Sequence, residues 1–391
     1  VRAVITGAWP VGSLEQFTIV EDTSTGQIAS SLTLLSHTCT YAGILFSVGQ
    51  PEFVATDPAY RRRGLIRAQM EIVHAWSEAR GDKLQVIDGI LNYYRQFGYE
   101  YSLEQVYGRI GFKSYVPKLK EGESEPFHLR PATPDDAPFL TQTNAHAQRR
   151  YLVSALTTEQ DWQRIAARSQ MEDTTRLLRI METPDGVPVG YLLYDSELRG
   201  DHQIVILAYE LTPGISWHLV SLSVLRYLCA AGEEGAQREN KAFGTFHFSV
   251  GPAHPVHEAL HDLLPRTVGP YALYIRIPDL VGFVQHIVPV LERRLAESVM
   301  VGHTGELKIS FYRSGLRLVF EGGKLTGVEP WQPAVEDGGM VQFPDLTFLQ
   351  ILLGYRSLEE LEYAFKDCAH QSDEARDLVR ALFPKQISYI F

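Results

Sequence analysis

The period of hydrophobic and polar positions changes repeatedly along the chain, and the changes predict a mixed α/β layer architecture. In the first segment, to about Pro117, Phe17–Asp22 reads as a strand, Ser24-Thr-Gly26 as the turn after it, and residues 28–36 as the next strand. Residues 52–56 form a short strand that stops at Asp57-Pro58. From residue 65 to 80 apolar side chains recur at Ile66, Met70, Val73 and Trp76, the spacing of one helix face, and Gly81 closes that helix. Residues 84–87 make another β run, ended by Asp88-Gly89.

Lys118 to Glu125 is charged and has no apolar period, so it reads as a solvated linker before Pro126. A second α/β segment follows, with strands near 177–181, 190–194 and 205–211 and a helix over 216–231. The third has an amphipathic helix over 280–296, strands over 307–312, 316–320 and 324–328, and helices over 344–353 and 358–365, the pattern of an α+β domain with an antiparallel sheet. The expected domains are 1–120, 127–277 and 278–391.

At 391 residues the chain is long enough for two or three domains with their own cores. Apolar residues at 45% and charged ones at 21% exclude a mainly disordered or fibrous protein. Thirty-six basic against 47 acidic residues give a net charge of −11, a poor match to duplex nucleic acid and a better one to cationic partners. Cys39, Cys229 and Cys368 are far apart and odd in number, which argues against a disulfide framework or zinc cluster and fits a reducing cytoplasm. No apolar run approaches the roughly 18 to 20 residues of a membrane helix, so no membrane partner is expected.

The strongest chemical signal is Phe53-Val-Ala-Thr-Asp-Pro-Ala-Tyr-Arg-Arg-Arg-Gly-Leu-Ile-Arg67. A strand runs into a basic, glycine-containing turn that opens a helix. Unpaired N–H groups and the positive dipole end at such a helix start, joined by three guanidiniums, suit a pyrophosphate, and Gly64 lets the backbone come close. A solvated basic turn is the plain alternative. About 30 residues on comes Asn92-Tyr93-Tyr94-Arg95-Gln96-Phe97-Gly98-Tyr99.

Together the two stretches resemble the GNAT superfamily of acyl-CoA-dependent N-acyltransferases, whose phosphate turn reads Arg/Gln-x-x-Gly-x-Gly/Ala and whose later Tyr-x-x-x-Gly-Phe/Tyr supplies a tyrosine facing the thioester sulfur. Arg61, Gly64 and Ile66 stand at the turn's key positions, Ile66 replacing the usual small residue, and Tyr94 with Gly98-Tyr99 matches the second motif. The resemblance implies that Arg61, Arg62, Arg63, Gly64, Leu65, Ile66 and Arg67 hold the phosphates and that Asn92 contributes to the cofactor site. It also implies that backbone N–H groups of Val54, Ala55 and Thr56 face the pantetheine arm and the oxyanion, in a gap where this strand splays from residues 84–87. Tyr94, with a phenol pKa near 10 against about 8.5 for a thiol, becomes the proton donor to the leaving thiolate. Tyr93 is expected to be a packed core aromatic.

Over nearly the whole chain the order of parts resembles the Eis (enhanced intracellular survival) acetyltransferases. These have an active GNAT domain with Arg-Arg-Arg-Gly-Leu, a second GNAT-like domain opening at residues 129–136, and a sterol-carrier-protein-like C-terminal domain, here carrying Gly322-Gly-Lys-Leu-Thr-Gly327. The fold class implied is α/β (α+β), tandem GNAT-like domains with mixed sheets plus that C-terminal domain. The second copy reads Leu207-Ala-Tyr-Glu-Leu-Thr-Pro-Gly-Ile-Ser216 where arginines would be needed, and is expected to be catalytically dead. The resemblance further implies acetyl-CoA as the acyl donor with no metal, an aminoglycoside, polyamine-like or lysine amine as acceptor, a homo-oligomer of hexamer type, and the terminal carboxylate, here of Phe391, as the base. A CoA- or lipid-binding protein without catalysis is the alternative from another class. His257-Glu-Ala-Leu-His261 fits H-E-x-x-H, but Pro265 follows closely, and a surface helix is expected there rather than a zinc site.

Overall fold

The computed structural model describes residues 14–105, 107–200 and 202–390. The chain divides into two compact units. One holds the described residues through Leu103 with Tyr151–Leu156 and Ala272–Ile390, and the other holds Glu104–Arg150 and Thr157–Tyr271.

Strands β1 (Phe17–Asp22), β2 (Gln27–Tyr41) and β3 (Ile44–Thr56) form an antiparallel meander. β3 is 13 residues long, far longer than the short run expected, because Phe46 and Val48 bury their side chains at its start. Helix α1 (Leu65–Ala79) follows, then β4 (Leu84–Asp88), a 3₁₀ turn at Tyr94–Phe97 and β5 (Glu100–Gln105). The buried stripe of α1 is Gln69, Met70, Val73 and Ser77, so Trp76 stays partly exposed. Gln69 is tolerated inside because Ser30 Oγ donates to its Oε1 at 2.6 Å and its Nε2 donates to Thr18 Oγ1 at 2.6 Å.

The second unit carries β6 (Gly108–Phe112), β7 (His128–Pro131), α2 (Ala137–Gln148), α3 (Glu159–Ser169), β9 (Arg176–Glu182), β10 (Pro188–Asp195), β11 (Gln203–Leu211), α4 (Trp217–Glu239), β12 (Thr245–Phe248), α5 (Val256–Ala259) and β13 (Arg266–Val268). Strand β8 (Val153–Ala155), lying between α2 and α3 in sequence, pairs with β2 in the first unit. The second sheet has the order β13-β6-β12-β11-β10-β9-β7, with the β11–β12 pair parallel and the rest antiparallel. The units part within β5, ahead of the largely exposed residues 118–124, because β6 already pairs with β12 of the second sheet. Helix α4 runs two turns beyond the expected end. Gly232 does not stop it, since the ring of Phe243 occupies the space a Cβ would need, 2.5 Å away.

The chain then returns to the first unit with β14 (Tyr271–Arg276), helices α6 (Leu280–His286) and α7 (Val288–Ala296), strands β15 (Gly305–Ser310), β16 (Gly315–Glu321), β17 (Lys324–Trp331) and β18 (Val341–Gln342), helices α8 (Phe348–Leu352) and α9 (Leu358–Ala364), β19 (Ala369–His370) and α10 (Asp373–Leu382). The single helix expected over 280–296 breaks at Ile287, where Pro289 opens the second piece. β14 enters the first sheet between β4 and β5, giving β1-β2-β3-β4-β14-β5. The C-terminal sheet, β17-β16-β15-β18-β19, joins β15 and β18 in parallel. Its expected purely antiparallel pattern is thus mixed, because β18 is reached by a crossover from β17 rather than a hairpin. The chain has an α/β (α+β) fold with mixed sheets.

Candidate active site

The site is built where β3 and β4 separate. They pair in parallel only at Val48↔Leu84 and Gly49↔Gln85, after which β4 pairs with β14 on its other edge. Pro51 brings no N–H to either edge. Next comes a bulge: the register passes from Thr33↔Glu52 to Ser31↔Ala55, so Phe53 and Val54 together face Leu32, and Phe53 takes φ 52°. Beyond it, Asp57 N–H donates to Ala29 O at 2.9 Å, and Ser31 and Ser30 pair with Ala55 and Thr56. Alternation along a strand therefore turns the backbone of Ala55 toward β2 and that of Thr56 toward the gap.

The turn after β3 ends in Gly64, the N-cap of α1, at φ 76° and with no side-chain cap. The first intrahelical bond runs from Ala68 N–H to Gly64 O, which leaves the N–H groups of Leu65, Ile66 and Arg67 without helical acceptors. Arg61, Arg62 and Arg63 are exposed, and none forms an ion pair among the described residues. Arg61 donates to Thr56 O, Arg63 to Ala59 O, and Arg63 also lies over the Tyr60 ring at 4.9 Å. Tyr60 is tied in turn to Asp22, its hydroxyl donating at 2.7 Å. Arg67 donates to Gln96 Oε1 at 2.8 Å and lies 5.3 Å from the Phe97 ring, which links the helix start to the 3₁₀ turn that carries Tyr94. Leu65 and Ile66 are half-buried, and Ile66 packs on the cluster of Leu32, Met70, Ile87 and Tyr94.

Tyr94 is 4% exposed, yet its hydroxyl has no protein partner among the described residues. Tyr93 and Phe97 stack edge-on or tilted about it, at 5.1 and 6.5 Å. Burial, followed by the nearby Tyr93, Glu52 and Asp88, pushes its pKa up to about 12. It stays protonated throughout the neutral range and can donate a hydrogen bond to developing negative charge. Complete transfer from such a phenol to a thiolate of pKa about 8.5 would be uphill by about 5 kcal/mol, so a hydrogen bond is the chemistry it can offer to such a group.

Sequence reasoning missed two members of this site. Glu52, at the bulge, is half-buried and accepts from Gln50 Nε2 at 2.7 Å and from Phe53 N–H at 3.4 Å. Burial raises its pKa above the ordinary 4.5, the two hydrogen bonds pull it back, and the Asp88 charge adds to the rise. Its signal was the one carboxylate in a strand that carries no other charged residue. Gly89 is the other: a Cβ there would sit 2.0 Å from Tyr94 Cε2, so only glycine lets the ring lie over the end of β4.

Asn92 has φ 65°, and its N–H donates to Tyr274 Oη at 2.8 Å. Phe391 lies outside the described residues. The tail before it pairs through Tyr389 in parallel with β8, and so runs in the same direction as β3.

The second unit repeats the strand–helix–strand frame without the site. β11 and β12 part after Ile206↔Phe248, as β3 and β4 do, but His254 hydrogen-bonds the Tyr209 carbonyl inside the opening and is 3% exposed. The helix start is closed as well, Ser216 Oγ accepting from Leu219 N–H. The H-E-x-x-H stretch is a single turn rather than a surface helix. His257 is buried, with its Nε2 at 2.9 Å from Gly251 O, whereas His261 is exposed beside Asp262. The pair does not converge, and among the described residues no group of three or more His, Cys, Asp or Glu is placed to hold a metal.

Residues 7–102 match the family model described as an acetyltransferase (GNAT) domain, the segment that contains the gap, the arginine turn and Tyr94. Domains of this class use acetyl-CoA, and by enzyme class the chain is an N-acetyltransferase. Over most of its length it is similar in fold to a GCN5-related N-acetyltransferase from Anabaena variabilis, with 14% identity, 97% of this chain and 89% of that one covered, and a TM-score of 0.64. Eis1 from Mycobacterium abscessus is similar at 14% identity, 97% and 91% coverage and a TM-score of 0.61. A probable N-acyltransferase of unknown function from Enterococcus faecalis is similar at 17% identity, 93% and 86% coverage and a TM-score of 0.61. At such identities these likenesses establish the fold alone. No curated protein matches the chain.

Proposed function

We propose that the chain transfers an acetyl or short acyl group from CoA directly to a primary amine. The observation that carries this reading is the gap between β3 and β4, set beside an uncapped, arginine-rich helix start. The helix N–H groups and Arg61 to Arg63 hold the pyrophosphate, and the pantetheine arm lies along Val54 and Thr56 as an added strand. Their N–H groups donate to the thioester oxygen as it gains charge. The amine nitrogen forms the new C–N bond, the C–S bond breaks, Glu52 accepts the amine proton, and Tyr94 donates a hydrogen bond to the departing thiolate. The carboxylate of Phe391 is the second candidate for the base. The net charge of −11 and the facing Glu52 and Asp88 favour a cationic acceptor, of the aminoglycoside, polyamine or lysine type.

Thiol release from acetyl-CoA with a panel of such amines tests the reading, and absence of amine-dependent release would refute it. The activity of the native protein should rise with pH along an acid limb placed above the ordinary carboxylate value of 4.5, because burial keeps Glu52 protonated longer than a solvated glutamate. Glu52→Gln should lose that limb and lower kcat by about 10²-fold. A profile unchanged by the substitution transfers the base role to Phe391.

A second reading, a non-catalytic CoA- or lipid-binding chain, is favoured by one feature. A cavity of about 570 Å³ opens in the first unit between Leu280, Val281, Leu316, Leu346 and Phe348, with Arg313 on its lining. Binding of an apolar ligand there, with no thiol release for any amine, would support it.

A further inference from the structure

We infer that Tyr274, on a strand contributed from far along the chain, is the positioning residue for Tyr94; the inference rests on the acyl-transfer reading above. The segment that joins β4 to Tyr94 is only Gly89 to Tyr93, and it holds an unusual conformation. Asn92 stands in the left-handed region at φ 65°, an uncommon conformation for any residue but glycine, and one that asparagine tolerates better than most. The Asn92 N–H donates to the hydroxyl of Tyr274 at 2.8 Å across 182 residues of sequence.

Tyr274 is itself fixed. It is 3% exposed, it pairs with Ile87 in the β4–β14 ladder, and its ring lies 6.2 Å from that of Tyr94, tilted by 53°. One side chain therefore sets both the backbone that precedes Tyr94 and one wall of its ring. Gly89 presses from the opposite end of the loop, since no Cβ fits beneath the Tyr94 ring. Between these two constraints the phenol has little freedom, which matters because among the described residues no hydrogen bond holds its hydroxyl in place. A donor to a developing charge works only if it is already aimed, and small displacements are costly.

Tyr274→Phe tests this. It keeps the ring and its packing, and removes only the acceptor for Asn92. With rates normalised to sites titrated by CoA binding, so that unfolded protein does not count, kcat should fall about tenfold while KM for acetyl-CoA moves less than about twofold. Combined with Tyr94→Phe the effect should vanish: the double variant turns over as slowly as Tyr94→Phe alone, because a positioning residue has nothing left to position. A merely structural role predicts the opposite, losses that multiply in the double variant. Multiplying losses, or an unchanged kcat in Tyr274→Phe, overturn the inference. If Tyr94→Phe is itself fully active, the role of Tyr94 in the proposed reaction fails instead.

Discussion

Tyr94→Phe is expected to lower kcat by about 10²- to 10³-fold, the usual loss when one preorganised donor to developing charge is removed. The Kd for acetyl-CoA should stay within about twofold of the native value, since the phosphates and pantetheine are held elsewhere. The substitution is clean for a physical reason. The Tyr94 hydroxyl has no hydrogen bond among the described residues, while the ring is 4% exposed and packed on Tyr93, Phe97 and Tyr99. Phenylalanine keeps every one of those contacts, so the melting temperature should not fall. With its pKa raised to about 12, the phenol is also protonated at any pH where the protein is assayed. The pH profile of the native enzyme should therefore report Glu52 and the amine, with no limb from Tyr94. Steady-state thiol release and calorimetric CoA titration on the same preparation give both readouts. A native kcat in Tyr94→Phe would remove the phenol from the reaction.

The parts of the site visible in the sequence were those whose function is local. Residues 53–67 form a strand, turn and helix start in one continuous stretch, so helix-end physics could be read from it directly, and the structure leaves that helix start uncapped. Tyr94 was legible because a short motif fixes its distance from Gly98. Glu52 was hidden by its ordinariness: a carboxylate in a strand is usually solvated, and only burial beside Asp88 and Tyr94 distinguishes it. Tyr274 could not be found at all. Its partner is 182 residues away, and nothing in a linear pattern announces that β14 inserts between β4 and β5. The same topology explains why the sequence suggested three successive segments where the contacts give two units, the chain returning to its first sheet after completing the second.

Replacing Arg61, Arg62 and Arg63 together by alanine should weaken acetyl-CoA binding by about 10²-fold and leave kcat at saturation nearly unchanged. The three guanidiniums are exposed and form no ion pairs among the described residues, so their removal breaks no salt bridge there. Within the fold they make only exposed contacts, Arg61 to the Thr56 carbonyl and Arg63 to the Ala59 carbonyl and the Tyr60 ring. Each exposed contact is screened by water and contributes modestly, which is why a triple change is needed and why the helix N–H groups should retain residual affinity. Salt provides the control: native affinity should fall as ionic strength rises, and the triple variant should show a flatter dependence. Gly64→Ala probes the other component. The space beside Gly64 is open, but φ 76° is a conformation that a Cβ makes costly by roughly 1 kcal/mol, so the turn should distort without any clash. The second unit supplies the contrast within the same chain. Its equivalent helix begins at Ser216, which satisfies the N–H of Leu219 with its own hydroxyl, and the turn before it has no arginine. If the triple variant bound acetyl-CoA as tightly and with the same salt slope as the native protein, the helix start of α1 could not be the phosphate site.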